Sequence, residues 1–172
     1  MTENPVLFLD FDGVLNSHDW WERRPKVVKG DRWARELNEF DPAAVGLLNG
    51  ILMATDCDVV VSSTWRKGRN IQQLRDLLVA AGLVRPEKVI SVTPDAYAWG
   101  ADVIKVTGTR RGAEIAAWLQ AHRPNGCTFA ILDDDSDMGS VLHRLVQTPY
   151  SVGLTAVTAE RVRKLLMEQD DD

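Results

Sequence analysis

The chain has 172 residues, a formal net charge of −5 and two cysteines. This length suits one domain, which can bury a core without disulfide or metal support, and the acidic balance argues against a general nucleic-acid coat protein. Cys57 and Cys127 each stand at the start of a predicted buried strand, where they are expected as core residues and not as a zinc or disulfide site. No signal pattern opens the sequence and no apolar run approaches membrane-spanning length, so a cytoplasmic protein without membrane contact is expected.

The first predicted strand, residues 6–9, is followed by two aspartates and then by a glycine turn. Asp10 and Asp12 are one residue apart, and carboxylates at alternate positions of an extended chain point the same way. Gly13 breaks the strand, so that Asp12 is free to turn away from Asp10 and take a different part at one small site. The plainer alternative is a polar strand end followed by a turn.

The rest of the chain alternates between helical and extended patterns. The segment at about 17–40, which we call the flap, is rich in tryptophan and basic residues and is expected to be irregular. Helical spacing, caps and breakers predict the remaining elements. The helices are expected at 42–55, 71–82, 111–122, 138–146 and 159–167, and the strands at 58–63, 88–92 and 127–132, with a short extended piece near 150–152.

This alternation predicts an α/β domain with a mainly parallel sheet and helices on both faces. Ligands bind at the carboxyl ends of the strands in such sheets. Three strands end in polar groups: Asp10 and Asp12, then residues 62–64 (Ser-Ser-Thr), then Asp133 and Asp134. These groups are expected to converge on one edge.

Carboxylates that converge on one edge need a cation. Two like charges about 4 Å apart cost on the order of 4 kcal/mol near a protein surface. Oxygen-only ligands favour a hard cation, and Mg²⁺ suits phosphate chemistry. The alternative for the aspartate run at 133–137 is an acidic helix N-terminus. Zinc is disfavoured because His18, His122 and His143 are scattered along the chain.

Four motifs in order resemble the haloacid dehalogenase (HAD) superfamily of aspartate-nucleophile phosphatases. They are residues 10–14 (Asp-Phe-Asp-Gly-Val), residues 59–64 (Val-Val-Val-Ser-Ser-Thr), a basic residue before a helix, and residues 131–137 (Ile-Leu-Asp-Asp-Asp-Ser-Asp). Asn16, residues 63–66 and the aspartate run look most like the small HAD domains of Swiss Army Knife RNA-repair proteins. The resemblance covers essentially the whole chain, residues 1–172, as a single domain. It implies a three-layer Rossmann-like HAD fold.

The resemblance also implies roles for the first and fourth motifs. Asp10 would be the nucleophile, and Asp12 would protonate the leaving oxygen, activate the water and face the metal through its backbone carbonyl. Asp133 would be a metal ligand, joined by Asp134 or Asp137 directly or through water.

The second and third motifs would hold the phosphate. Ser63 is the preferred phosphate-binding hydroxyl, with Ser62 and Thr64 as alternatives. The third-motif cation is either Arg111, which begins the helix before the fourth strand, or Lys105, since the family more often uses lysine. Arg110 is expected to be a solvated surface charge.

The segments where HAD enzymes carry a cap domain are too short here to hold one, which suggests a large substrate such as a nucleic-acid end. In the flap, Trp20, Trp21 and Trp33 are interleaved with six cations, a composition suited to stacking bases and neutralising phosphates. The alternative is a flap that packs on the core, and Trp33 with Leu37 is expected there. Trp65 and Arg66 flank the phosphate site as further substrate contacts. Trp99 is expected to edge the site and Trp118 to be core.

The sequence therefore predicts a magnesium-dependent phosphomonoesterase that acts on a 3′- or 5′-phosphate of a nucleic-acid end. A small-molecule phosphatase or nucleotidase is the main alternative, and a non-catalytic HAD-fold binding module is less favoured. No obligate protein partner is evident.

Overall fold

A computed structural model of the chain describes residues 3–26, 31–99 and 109–168. In this part of the chain, four of the five strands are followed by an α-helix, as the alternating pattern of the sequence predicts. The strands are β1 (Val6–Leu9), β2 (Asp58–Val61), β3 (Val89–Val92), β4 (Phe129–Asp133) and β5 (Leu145–Gln147). The helices are α1 (His18–Arg23), α2 (Arg32–Leu37), α3 (Pro42–Thr55), α4 (Ile71–Ala80), α5 (Arg110–His122) and α6 (Ala156–Met167).

The five described strands form one parallel sheet in the order β3-β2-β1-β4-β5. β1 lies at the centre, with Leu9 in register with Val61 of β2 and with Leu132 of β4. Because all three strands run the same way and end at the same level, the residues that follow them meet at one edge. This arrangement confirms the predicted α/β, Rossmann-like fold.

Two apolar clusters hold helices against the two faces of the sheet. Side chains of β1 alternate between them: Leu7 and Leu9 pack with α3, α4 and α6, whereas Val6 and Phe8 pack with α5. Trp118 of α5 is 2% exposed and meets Phe8 edge-to-face at 5.4 Å, as expected for a core residue. The period-two alternation of a strand thus builds a three-layer molecule.

Helix starts follow local capping rules. Asp41 accepts a hydrogen bond from the Ala43 N–H at 2.9 Å, and Pro42 occupies the first turn of α3. Asn70 and Gln73 form a capping box at the start of α4. Such caps satisfy N–H groups that have no partner within the helix, which is why the sequence located these boundaries.

The structure corrects three details of the predicted elements. The flap is not irregular, because α1 and α2 lie within it. The helix predicted over 138–146 is a 3₁₀ turn, Gly139–Arg144, that leads into β5, and residues near 150–152 form a turn. β5 was missed because a three-residue strand is too short to show a period. No helix among the described residues is long and apolar enough to cross a membrane.

Candidate active site

Asp10 follows β1 directly and stands at the centre of the site. It is 5% exposed, and its carboxylate accepts hydrogen bonds from the Ser63 hydroxyl and from the Phe11 backbone N–H. The Arg111 guanidinium lies 3.4 Å from Asp10 Oδ1. Burial raises the pKa of Asp10, an effect that Arg111 and the Ser63 hydrogen bond oppose.

The aspartate run after β4 brings two more carboxylates to Asp10. Asp133 is fully buried, and its Oδ2 accepts a hydrogen bond from Arg111 at 2.9 Å. Oxygen atoms of Asp10, Asp133 and Asp134 all lie within 4.8 Å of one another. Burial, and next the charge of Asp10, raise the pKa of Asp133 to about 7, and the same two causes raise the pKa of Asp134.

These residues fit a hard divalent cation. The donor set is oxygen only, which suits Mg²⁺. Among the described residues, Arg111 is the cation that pairs with Asp10 and Asp133, so three carboxylates meet one guanidinium and the negative charge left over is costly to bury. The pKa values of Asp10, Asp133 and Asp134 are raised because burial makes the ionised form of each carboxyl group costly.

Two glycines let the motifs approach this closely. Gly13 has φ +71, and a Cβ there would come within 2.5 Å of Asp134 Cγ. A Cβ on Gly112 would lie 2.0 Å from the Met138 carbonyl oxygen. Any larger residue at either position would push the Asp133 loop away from β1 or away from α5. The role of Gly112 left no signal in the sequence, because a glycine inside a helix is ordinarily only a weak point.

Asp12 is held apart from the three-carboxylate cluster by its own donors. Asn16 Nδ2 donates to Asp12 Oδ1 at 2.8 Å, and the indole N–H of Trp65 lies 3.1 Å from both carboxylate oxygens. Asn16 Oδ1 in turn accepts a hydrogen bond from the Gly13 N–H at 2.9 Å. Asp12 therefore lies outside the three-carboxylate cluster and has hydrogen-bond donors of its own.

The loop after β2 is organised from inside by Arg66. Its five N–H donors go to the backbone carbonyls of Ser62, Ser63, Thr93 and Pro94 and to the Glu114 carboxylate, which it meets at 2.8 Å. Arg66 is 6% exposed. The structure thus places Arg66 behind the loop that presents Ser63, with its donors already used, whereas the sequence suggested a substrate contact.

One protein family matches this chain. The family model described as the HAD domain in Swiss Army Knife RNA repair proteins matches residues 6–159. The chain belongs to this HAD-domain family. Comparisons with curated proteins and with solved structures gave no match.

The other predicted site residues of this HAD domain are distributed as follows. Asp137 accepts hydrogen bonds from the backbone N–H groups of Arg110 and Arg111, at 3.2 and 3.4 Å, and so caps α5. Among the described acids, the cluster with metal-binding geometry includes Asp134 and not Asp137. Ser62 and Ser63 are both buried, whereas Thr64 beside them is exposed. Lys105 lies outside the described residues, so Arg111 is the third-motif candidate that the structure describes in contact with Asp10.

The tryptophans of the flap have separate surroundings. Trp20 donates its indole N–H to the Asn38 carbonyl at 3.1 Å, and Trp21 meets Tyr150 edge-to-face at 6.1 Å. Both are half-buried. Trp33 is 46% exposed, so the expectation that it belongs to the core is wrong, although Leu37 does pack against the core.

Thr148 is a further residue that sequence reasoning missed. Its hydroxyl donates to the Gly13 carbonyl at 2.7 Å, and its backbone N–H donates to the Asp133 carbonyl at 3.0 Å. This residue after β5 therefore joins the first motif to the fourth. A lone threonine at the end of an unrecognised strand gave no signal for that role.

Proposed function

We propose that this HAD domain is a magnesium-dependent phosphomonoesterase that acts through an aspartyl-phosphate intermediate on the 3′- or 5′-phosphate of a nucleic-acid end. The observation that carries the proposal is the position of Asp10, a buried carboxylate in contact with Ser63 and Arg111 and within reach of Asp133 and Asp134. The matching family is described as a domain of RNA repair proteins, which supports a nucleic-acid end as the substrate.

In the proposed reaction, Asp10 attacks the phosphorus atom and the bond to the leaving oxygen breaks. Asp12, held by Asn16 and Trp65, gives its proton to that oxygen. Asp12 then takes a proton from the water that cleaves the aspartyl-phosphate, and inorganic phosphate is released.

Charge on the phosphoryl group must be balanced throughout this sequence. Ser63 supplies a hydroxyl donor and Arg111 a guanidinium at the edge of the site. Asp10, Asp133 and Asp134 would hold Mg²⁺, which when bound offsets charge on the phosphoryl oxygens. Burial of these groups strengthens each interaction because water screens them less.

The first experiment asks whether the protein is a phosphatase. Hydrolysis of an aryl phosphate is measured with MgCl2 and with EDTA, for the wild type, Asp10→Asn and Asp135→Asn. Asp135 is an exposed aspartate of the same loop and is the matched control. We expect the activity to need Mg²⁺, to be lost in Asp10→Asn and to persist in Asp135→Asn. Equal activity of the two variants would refute the mechanism.

The second experiment identifies the substrate class. We expect a higher kcat/KM on oligonucleotides that carry a 3′- or 5′-phosphate than on the corresponding mononucleotides. Equal or higher values on mononucleotides would instead favour a nucleotidase or small-molecule phosphatase.

A further inference from the structure

A groove beside the candidate active site contains an exposed tryptophan. It has a volume of about 640 Å³, and its lining includes Arg32, Trp33, Glu36, Lys67 and Arg69. We call it the Trp33 groove. It lies between α2 and the segment that leads from Ser63 into α4, and no step of the proposed reaction uses it.

Trp33 is available to a ligand in this groove. Its side chain is 46% exposed, whereas Leu37, one turn later on α2, packs against the core. The helix thus uses Leu37 for attachment and leaves an aromatic surface facing solvent. A flat apolar ring in a concave, polar setting is the arrangement on which nucleic-acid bases stack, because every base offers a face of the same kind.

The ionisable side chains that line the groove are three cations, Arg32, Lys67 and Arg69, and two acids, Glu36 and Asp76, so their formal charges sum to a small positive value. Glu36 Oε1 accepts hydrogen bonds from Arg32 Nε and from Arg69, both at 2.9 Å. Two guanidinium groups therefore share one carboxylate, and the trio keeps a net positive charge. Arg69 is fixed a second time by its bond to the Trp65 carbonyl at 3.1 Å.

The Trp33 groove shares part of its wall with a second depression, which has a volume of about 320 Å³. Thr64 and Trp65 line this depression together with Glu36 and Arg69, which also line the Trp33 groove. Trp65 has the Arg69 guanidinium 5.3 Å from its ring centroid and its N–H 3.1 Å from Asp12. One indole ring thus separates the Asp12 carboxylate from the wall of the groove.

We propose that the Trp33 groove binds the nucleotide next to the phosphorylated end of a single-stranded RNA, with its base stacked on Trp33 and its backbone phosphate near Arg32 and Arg69. This inference rests on the proposed function and adds a second nucleotide site to it. It gives a physical reason for the domain to prefer a strand end to a free nucleotide, since only a strand reaches both places.

The test compares two substrates in each variant. The probes are a ten-nucleotide RNA with a 3′- or 5′-terminal phosphate, whichever the enzyme hydrolyses, and an aryl phosphate, which has no second nucleotide to place in the groove. The quantity measured is the ratio of kcat/KM on RNA to kcat/KM on the aryl phosphate. Trp33→Ala is expected to lower this ratio about 5- to 100-fold, the range that loss of one stacked base produces.

Two further variants separate stacking from a general disturbance. Trp33→Phe keeps an aromatic face and is expected to retain most of the ratio. Leu142→Ala removes an equally exposed apolar side chain, 50% exposed, that does not line the Trp33 groove, and it should leave the ratio unchanged. An unchanged ratio in Trp33→Ala, or an equal fall on both substrates, would overturn the second nucleotide site.

A binding measurement keeps this inference distinct from the proposed function. If the wild type hydrolyses no phosphate ester, the proposed function fails, and fluorescence anisotropy of the same labelled RNA then decides whether the groove binds nucleic acid. Affinity at least fivefold weaker in Trp33→Ala than in Leu142→Ala supports the groove. Equal affinity, or no binding by any variant, refutes it.

Discussion

The indole N–H of Trp65 is expected to position Asp12, and the variant Trp65→Phe tests this. The N–H lies 3.1 Å from both Asp12 oxygens, and phenylalanine removes that donor while keeping an aromatic ring. The ring contacts to Phe11 and Phe40, at centroid distances of 6.0 and 5.3 Å, are largely retained. The substitution therefore separates the hydrogen bond from the packing.

The magnitude follows from the partners of Asp12. A hydrogen bond to a charged group contributes about 1.5–3 kcal/mol, and Asn16 remains to hold one oxygen in the variant. If most of that energy keeps Asp12 in its productive orientation, kcat falls about 10- to 100-fold, at roughly 1.4 kcal/mol per factor of ten. KM on an aryl phosphate should change little, because the indole N–H is directed at Asp12.

The assay is steady-state hydrolysis of an aryl phosphate together with a thermal melt. The matched control is Trp118→Phe, which also removes an indole donor, in that case from Ser91 Oγ at 3.0 Å, on the α5 side of the sheet. Trp118 is 2% exposed, so its replacement should cost about 1–3 kcal/mol of stability and leave kcat unchanged. A Trp65→Phe enzyme with kcat within twofold of the wild type would refute the positioning role of the indole.

Three further outcomes are expected. Metal-free Asp10→Asn should melt at or above the wild-type temperature by differential scanning fluorimetry, because one charge leaves a crowded acidic site; a large fall would contradict this. Arg66→Lys cannot make all five donated bonds, so it should lose about 2–4 kcal/mol in urea unfolding and some kcat; a higher KM at unchanged stability would instead indicate substrate contact. Burial and the Asp10 charge raise the pKa of folded Asp133 to about 7 from 3.8, so between those pH values the folded metal-free protein binds a proton that the unfolded chain does not. In melts with EDTA, the stability of the metal-free protein should therefore fall as pH rises through this window, by up to about 1.4 kcal/mol per pH unit. MgCl2 should raise Tm more at pH 7.5 than at pH 5. Asp133→Asn should flatten the dependence of stability on pH.

Sequence reasoning worked where a pattern spans a whole element. The strand before Asp10, the cap at Asp41 and the apolar stripe that buries Trp118 all recur with the period of their element, and each is found in the structure. It failed where an element is too short to repeat, as in β5 and the two helices of the flap. Trp33 was misjudged because helical spacing from Leu37 places it near one face without saying whether anything covers that face.

Side-chain direction at the site was the other limit. Arg66 is adjacent to Trp65 in the sequence, and both were expected to face the substrate. In the structure Arg66 turns inward to Glu114 and four carbonyls, whereas the Trp65 N–H faces Asp12. The partner that decides each direction, Glu114 or Asp12, is distant in the chain, so spacing alone could not assign it.

The sequence by itself determined which residues reach the functional edge. Alternating buried strands and helices force a parallel sheet, and the carboxyl ends of its strands share one side, so Asp10, Ser63 and Asp133 had to meet. The tertiary structure alone decided how they meet. Arg111 bridges Asp10 and Asp133 because Gly112 allows α5 to approach the loop after β4, a contact between surfaces that depends on shape in three dimensions and leaves no period in the chain.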